Sequence, residues 1–172
     1  MINEITRNTF RFLILLFVQV LLIKNIDLGR FINPFIYVLF IVALPFETPK
    51  PILLFAAFAM GLAVDMFYDT LGMHAAASVF MAFCRPRVFK FFAPREGYEA
   101  GTQPTIRYMG NAWFISSAGL LIFLHHLLLF YMEVFRFSEF FATFFRVIMS
   151  SIFTIGLCLL SQYLVGRKRT NE

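Results

Sequence analysis

Long apolar runs, separated by short clusters of charge, glycine and proline, dominate this chain. Runs of this kind predict helices that cross a bilayer, because about 20 helical residues span the hydrocarbon core. Six of them cover Phe12–Ile23, Phe31–Phe46, Pro51–Tyr68, Leu71–Cys84, Ala112–Tyr131 and Phe140–Val165. The second and fourth are short for an upright helix, so each is expected to be a thin-membrane span or partly re-entrant.

The composition indicates lipid as the main solvent of the chain. Of its 172 residues, 60% are hydrophobic, 25 are phenylalanine and only 15% are charged, whereas soluble domains are about half apolar and about one-quarter charged. We therefore expect a single all-α integral membrane domain over residues 1–172, a polytopic bundle of about six transmembrane helices. The net charge of +5 does not indicate nucleic-acid binding, since that requires a basic face in water.

The distribution of lysine and arginine predicts the topology, because these residues accumulate on the cytoplasmic side of a membrane protein. With six spans, both termini and most of the 15 cations share one side. Those cations are Arg7, Arg11, Lys50, Arg85, Arg87, Lys90, Arg95, Arg107, Arg167, Lys168 and Arg169. Five spans would place one of two basic ends outside, so an even number is favoured, with the tail 166–172 in the cytoplasm. The first run lacks an A-x-A cleavage pattern and is expected to remain uncleaved.

The main polar stretch, residues 85–111, is expected to be a cytoplasmic loop, because its prolines and glycines argue against a continuous helix. Its first part interleaves Arg85, Arg87 and Lys90 with valine and phenylalanine. That pattern is typical of a segment that lies on anionic lipid. The same cations would also serve as a topological stop signal, which is the simpler interpretation.

Two carboxylates stand at the end of the third run. Gly61, Asp65 and Asp69 are spaced four residues apart, which places both acids near one helical face. Such a pair could bind a proton or a cation, or could anchor the following turn, in which Gly72 and His74 would complete a tight reversal. The structural interpretation is favoured, because a helix end near the interface accommodates an ionised aspartate without a ligand.

Small residues crowd the same region and predict close helix packing. The pairs Ala57/Gly61 and Ala59/Ala63 have the small-xxx-small spacing that lets membrane helices approach closely. The third and fourth runs could therefore form the packed centre of the bundle or a surface for a partner's helix.

The adjacent His125 and His126 diverge by about 100° on a helix, so one of them is expected to pack inward. A metal site that includes either histidine is not predicted. The two cysteines have no metal or disulfide spacing.

The chain lacks the common catalytic and nucleotide-binding motifs, so no enzyme, catalytic residue or cofactor is predicted. The interiors of the runs also contain few polar side chains, fewer than an ion-coupled transporter usually needs. These are Gln19, Ser116, Ser117, Thr154 and Ser161. A scaffolding or binding role remains.

The segments Gly61-Leu-Ala-Val-Asp65 and Leu71-Gly72-Met73-His74-Ala75 resemble the corresponding stretch of the rod shape-determining protein MreD family. Further resemblance lies in Asn33-Pro34, Leu44-Pro45-Phe46, Pro94-Arg95-Glu96-Gly97-Tyr98 and Leu124-His125-His126. The resemblance implies a non-catalytic component of the bacterial cell-elongation machinery in the cytoplasmic (inner) membrane. Its implied partners are MreC, the actin-like MreB, and the glycosyltransferase RodA with its transpeptidase.

MreD proteins resemble in fold the substrate-binding S components of energy-coupling-factor transporters. That relation implies an alternative function, the binding of a vitamin-like small molecule. The ligand would lie toward the outer face, near Asp65, Asp69 and His74.

Overall fold

The computed structural model describes residues 2–99, 101–135 and 139–166, and these residues form helices and loops without a strand. The helices are α1 (Ile2–Phe17), α2 (Val38–Ala43), α3 (Lys50–Tyr68), α4 (Met73–Phe91), α5 (Ile106–Val134) and α6 (Phe140–Gly166). The helical path of α1 continues through one π turn and one 3-10 turn to Asn25.

Four helical stretches of the described chain are long and apolar enough to cross a membrane. They are Ile5–Asn25, Lys50–Tyr68, Ile106–Val134 and Phe140–Leu164. Large apolar side chains also cover the outside of the bundle, for example Phe55 and Phe141, which are 72% and 85% exposed. Such a surface requires hydrocarbon around it, so the chain is a helical membrane protein. The expectation of an all-α bundle is confirmed, whereas complete spanning is indicated for four of the six predicted segments.

The second apolar run is mostly not a helix. Within Phe31–Phe46 only Val38–Ala43 is α-helical, and Phe35 through Leu44 are all buried inside the protein. Proline at positions 34 and 45 limits the helix on both sides. The run lies antiparallel to α1: near one end of the bundle Gln19 contacts Pro34, and toward the other end Arg11 donates to the carbonyl of Ala43 over 2.7 Å.

Polar side chains of the neighbouring helices bind the irregular backbone that precedes α2. The amide of Asn33 donates to Ser150 Oγ (2.9 Å), that of Phe35 to Thr154 Oγ1 (3.0 Å) and that of Ile36 to Gln19 Oε1 (2.8 Å). Non-helical backbone is stable at membrane depth only when the protein itself supplies its hydrogen bonds. These side chains therefore allow a non-helical segment to lie within the bundle.

The predicted loop 85–111 is wrong in its boundaries. Helix α4 continues past Pro86 to Phe91, and α5 begins at Ile106, so the loop covers only residues 92–105. Proline removes one helical hydrogen bond. However, Val88 and Phe89 extend the buried face of α4 beyond it, and tertiary packing of that face outweighs local propensity.

Arg85 is also not at the surface. It is 2% exposed, and its guanidinium donates to the carbonyls of Leu44, Val42 and Pro45. These carbonyls lie within and just after the last turn of α2, where a helix leaves acceptors without intrahelical partners. The expected contact with lipid is therefore wrong for Arg85. Arg87 and Lys90 are exposed, and their contact with anionic lipid stays a prediction.

The loop 92–105 is attached to the bundle by aromatic contacts. Tyr98 stacks on Phe46 with ring centroids 4.0 Å apart, and its hydroxyl donates to the carbonyl of Phe89 over 2.6 Å. Burial raises the pKa of the Tyr98 phenol above its ordinary value, so the phenol remains a hydrogen-bond donor. Trp113 Nε1 donates to the carbonyl of Phe92 over 3.0 Å.

Candidate functional site

The candidate site lies on helices α3 and α4 and has two ends. The turn end is the end at which α3 stops and α4 begins, at residues 69–72. The basic end is the opposite end, where α3 begins at Lys50 and α4 stops at Phe91.

At Gly61 the two helices approach so closely that no side chain fits between them. A Cβ added there would lie 2.5 Å from Ala75 Cα and 2.6 Å from the carbonyl oxygen of His74. Ala57, one turn earlier on α3, is fully buried. Of the two interpretations that the sequence left open, the structure places both residues in the packed centre of the bundle and not on a surface for a partner.

Asp65 caps helix α4 from the neighbouring helix. Its Oδ2 accepts the amide of Ala75 over 2.9 Å, and its Oδ1 accepts the amide of His74 over 3.0 Å. The N-cap position of α4 is Gly72, which has no side chain to bind these first-turn amides. The Asp65 carboxylate, 3% exposed, takes over that role. Its Oδ1 also accepts the hydroxyl of Thr70 over 2.5 Å and lies 3.1 Å from His74 Nδ1.

The turn between α3 and α4 depends on two residues with positive φ. Asp69 adopts φ +55° at the end of α3, and Gly72 adopts φ +81° at the start of α4. Glycine adopts this conformation at no steric cost. Asp69 is exposed whereas Asp65 is buried, so the two acids occupy different environments and Asp65 carries the junction. We call Gly61, Asp65, Thr70, His74 and Ala75 the α3–α4 junction.

All three histidines of the chain surround the ring of Phe35. Its centroid lies 5.1 Å from His74, 6.3 Å from His125 and 5.5 Å from His126. His125 and His126 are both completely buried, so the expectation that only one packs inward is wrong. The reason is that α5 is covered on two sides. Tyr37 lies 2.7 Å from His125 Nε2, and Thr154 of α6 lies 3.2 Å from His126 Nε2.

The histidines do not form a metal site within the described residues, where no group of three or more potential ligands comes together. Two of their ring nitrogens, His74 Nε2 and His125 Nδ1, are buried without a hydrogen-bond partner among the described residues.

An apolar groove of about 980 Å³ runs along the outside of α3 and α4. Its walls include Leu62 and Met66 of α3 and Val79 and Phe83 of α4, and its floor includes the exposed Ala76. Asp65 and Thr70 are its polar lining residues, and they bind each other within the junction. The groove therefore has an apolar surface with almost no polar group free to bind another molecule.

Sequence reasoning missed Phe35 and Tyr37, which bring the histidines together, and Ser150, which binds the backbone of Asn33. The prolines at 34 and 45 were the available signal, because they bracket a run too short to form a full helix between them. They did not indicate which helices would surround it.

Comparison of the chain with protein-family models, with curated proteins and with solved structures found no significant match.

Proposed function

We propose that this chain is a non-catalytic membrane scaffold of the bacterial cell-elongation complex, similar in role to MreD. The observation that carries the proposal is the pairing of a rigid α3–α4 junction with an open apolar groove beside it. Four of the five junction residues also lie in the segments that resemble MreD, namely Gly61, Asp65, His74 and Ala75.

The groove suits a membrane helix of a partner. Helices associate within lipid mainly through close packing, which small residues permit. Gly72 and Ala76 are small lining residues near the turn end, whereas Phe58 and Phe83 are bulkier. A partner helix therefore crosses the groove at the turn end and diverges from it toward the basic end. The partner that we propose is the single membrane helix of MreC, through which the scaffold links wall synthesis by RodA and its transpeptidase to the MreB filament.

The junction supports this role because it fixes both walls of the groove. The Asp65 carboxylate joins α3 to the first turn of α4, and Gly61 sets the distance between them. A surface that keeps its shape loses less conformational freedom when a partner docks.

We propose further that the chain lies in the cytoplasmic membrane with both termini inside. The buried run 31–46 and α4 then complete six crossings. The run extends along α1 from Gln19 to Arg11, and most predicted inner cations lie at the basic end. The orientation is tested in a variant that lacks the native Cys84 and Cys158 and carries Gln103→Cys. This single cysteine should react with an impermeant thiol reagent only after the cells are opened. Labelling in intact cells would contradict this orientation.

The partner proposal is tested by filling the groove. Ala76→Trp should lower retention of tagged MreC at least tenfold in detergent co-purification, because the indole occupies the floor of the groove. Ile152→Trp is the matched control, since Ile152 is 57% exposed on α6 and away from the groove. Wild-type retention by Ala76→Trp, or an equal loss with Ile152→Trp, would refute the groove as the docking site.

The S-component alternative is favoured by one observation, the two buried ring nitrogens without partners at His74 and His125. It requires nanomolar binding of a vitamin-like ligand and association with ATPase subunits. The scaffold proposal expects neither, and it expects rod-shaped cells to become round when the protein is depleted. Ligand binding at that affinity without any change of cell shape would favour the alternative.

A further inference from the structure

A second pocket continues the apolar groove to the basic end. It measures about 150 Å³, and Leu54 and Phe83 line both cavities. At its far side stand Lys50, the first residue of α3, and Arg87 of α4. Together the two cavities form one path that is apolar over most of its length and cationic at one end.

Both cations are exposed and lack an acidic partner within the part of the chain that the structure describes. The ion pairs there are His74–Asp65 and Arg146–Glu133. The Arg87 guanidinium lies 4.6 Å from the centroid of the Phe83 ring, which holds it against the pocket wall.

The surroundings of the pocket add to its positive potential. Glu47, three residues before Lys50, forms no ion pair with either cation and instead accepts the amide of Gly101 over 3.2 Å. The positive end of the α3 dipole also lies at Lys50, where the first amides of the helix have no intrahelical partner.

Arg85 shows that not every cation of this end is available to a ligand. Two residues before Arg87 on the same helix, its guanidinium is buried against the carbonyls after α2. Lys50 and Arg87 have no such internal acceptors among the described residues, so their charges face the pocket.

We infer that Lys50 and Arg87 bind the phosphate of an anionic phospholipid whose acyl chain lies in the adjoining groove. The two positive charges favour an anionic headgroup, and the apolar path past Leu54 and Phe83 accommodates the acyl chain. A partner's helix end is a poorer match, because membrane helices tend to carry cations on the cytoplasmic side. The lipid occupies the basic end, so it is compatible with a partner helix that crosses the groove at the turn end.

The inference is tested with the full chain in detergent by native mass spectrometry during titration with dioleoylphosphatidylglycerol. The double variant Lys50→Gln/Arg87→Gln should bind the lipid about thirtyfold more weakly. Each cation near an anionic surface strengthens binding roughly fivefold, and the two effects multiply. The matched control is Arg95→Gln/Arg107→Gln, which removes two exposed charges outside the pocket. It should weaken binding less than threefold.

Two further arms identify the ligand chemistry. Dioleoylphosphatidylcholine, which is neutral, should bind weakly to all variants, and glycerol phosphate, which has no acyl chain, should not compete at equal concentration. Equal losses in both double variants would refute a site and indicate diffuse surface charge. Unchanged binding by Lys50→Gln/Arg87→Gln, or competition by glycerol phosphate, would also overturn the inference. These outcomes do not depend on whether Ala76→Trp releases MreC.

Discussion

The substitution Gly61→Ala tests the close contact between helices α3 and α4. The new Cβ would lie 2.5 Å from Ala75 Cα, 2.6 Å from the His74 carbonyl oxygen and 2.7 Å from the Ala75 nitrogen. All three are backbone atoms, so no side-chain rotation can relieve the overlap. Helices α3 and α4 must separate, which also stretches the hydrogen bonds from α4 to Asp65.

The expected magnitude follows from two opposing effects. Overpacking of a well-packed core costs about 1–3 kcal/mol. Alanine is favoured over glycine within a helix by about 1 kcal/mol, which offsets part of that cost. The difference is about 0–2 kcal/mol, and we expect Gly61→Ala to lower the free energy of unfolding by an amount near its upper end, about 2 kcal/mol, because backbone atoms block the new methyl group.

Two other helical glycines provide controls for the same measurement. At Gly156 a new Cβ meets nothing within 4 Å, and at Gly119 it meets only the flexible end of Ile155 at 3.3 Å. Unfolding in detergent by titration with sodium dodecyl sulfate should show Gly156→Ala equal to or more stable than wild type, Gly119→Ala near wild type and Gly61→Ala least stable. If Gly61→Ala were as stable as Gly156→Ala, the proposed close approach of α3 and α4 would be refuted.

Substitutions at three further positions test the polar contacts by the same assay. Asp65→Ala should cost about 3–5 kcal/mol, since it strands two amides of α4, and Asp65→Asn should cost less because one acceptor oxygen remains. Arg85→Met should cost about 1–3 kcal/mol, because the carbonyls after α2 lose their donor. Thr154→Val should cost a similar amount, about 1–3 kcal/mol, by leaving the amide of Phe35 unpaired. Wild-type stability in any of these variants would contradict the corresponding contact.

The third and sixth apolar runs could be predicted from the sequence because each forms one regular helix. The predicted segment Pro51–Tyr68 is observed as α3, Lys50–Tyr68. The predicted segment Phe140–Val165 is observed as α6, Phe140–Gly166. The end of α4 could not be predicted in this way. Pro86 and the nearby charges indicate a loop locally, whereas the burial of Val88 and Phe89 depends on distant segments.

Most residues of the α3–α4 junction were predictable from the sequence, whereas their contacts were not. Four-residue spacing brought Gly61 and Asp65 onto one face, and the turn residues pointed to a reversal before His74. The pairing of Phe35 with Thr154 joins positions 119 residues apart. No local periodicity encodes such a contact, because it arises only when an irregular segment packs among complete helices.

The buried polar side chains bind the backbone of the protein itself, which favours recognition of other molecules by shape. Within the apolar segments, Gln19, Asp65, Arg85, Ser150 and Thr154 are all buried, and each binds backbone at a helix end or in the irregular run beside α2. Groups engaged in this way cannot also bind a substrate without breaking the fold. The surface left for other molecules consists mainly of apolar helix faces, the α3–α4 groove and the cations at its basic end. A partner helix and an anionic lipid are the two kinds of molecule that we propose for this surface within a bilayer.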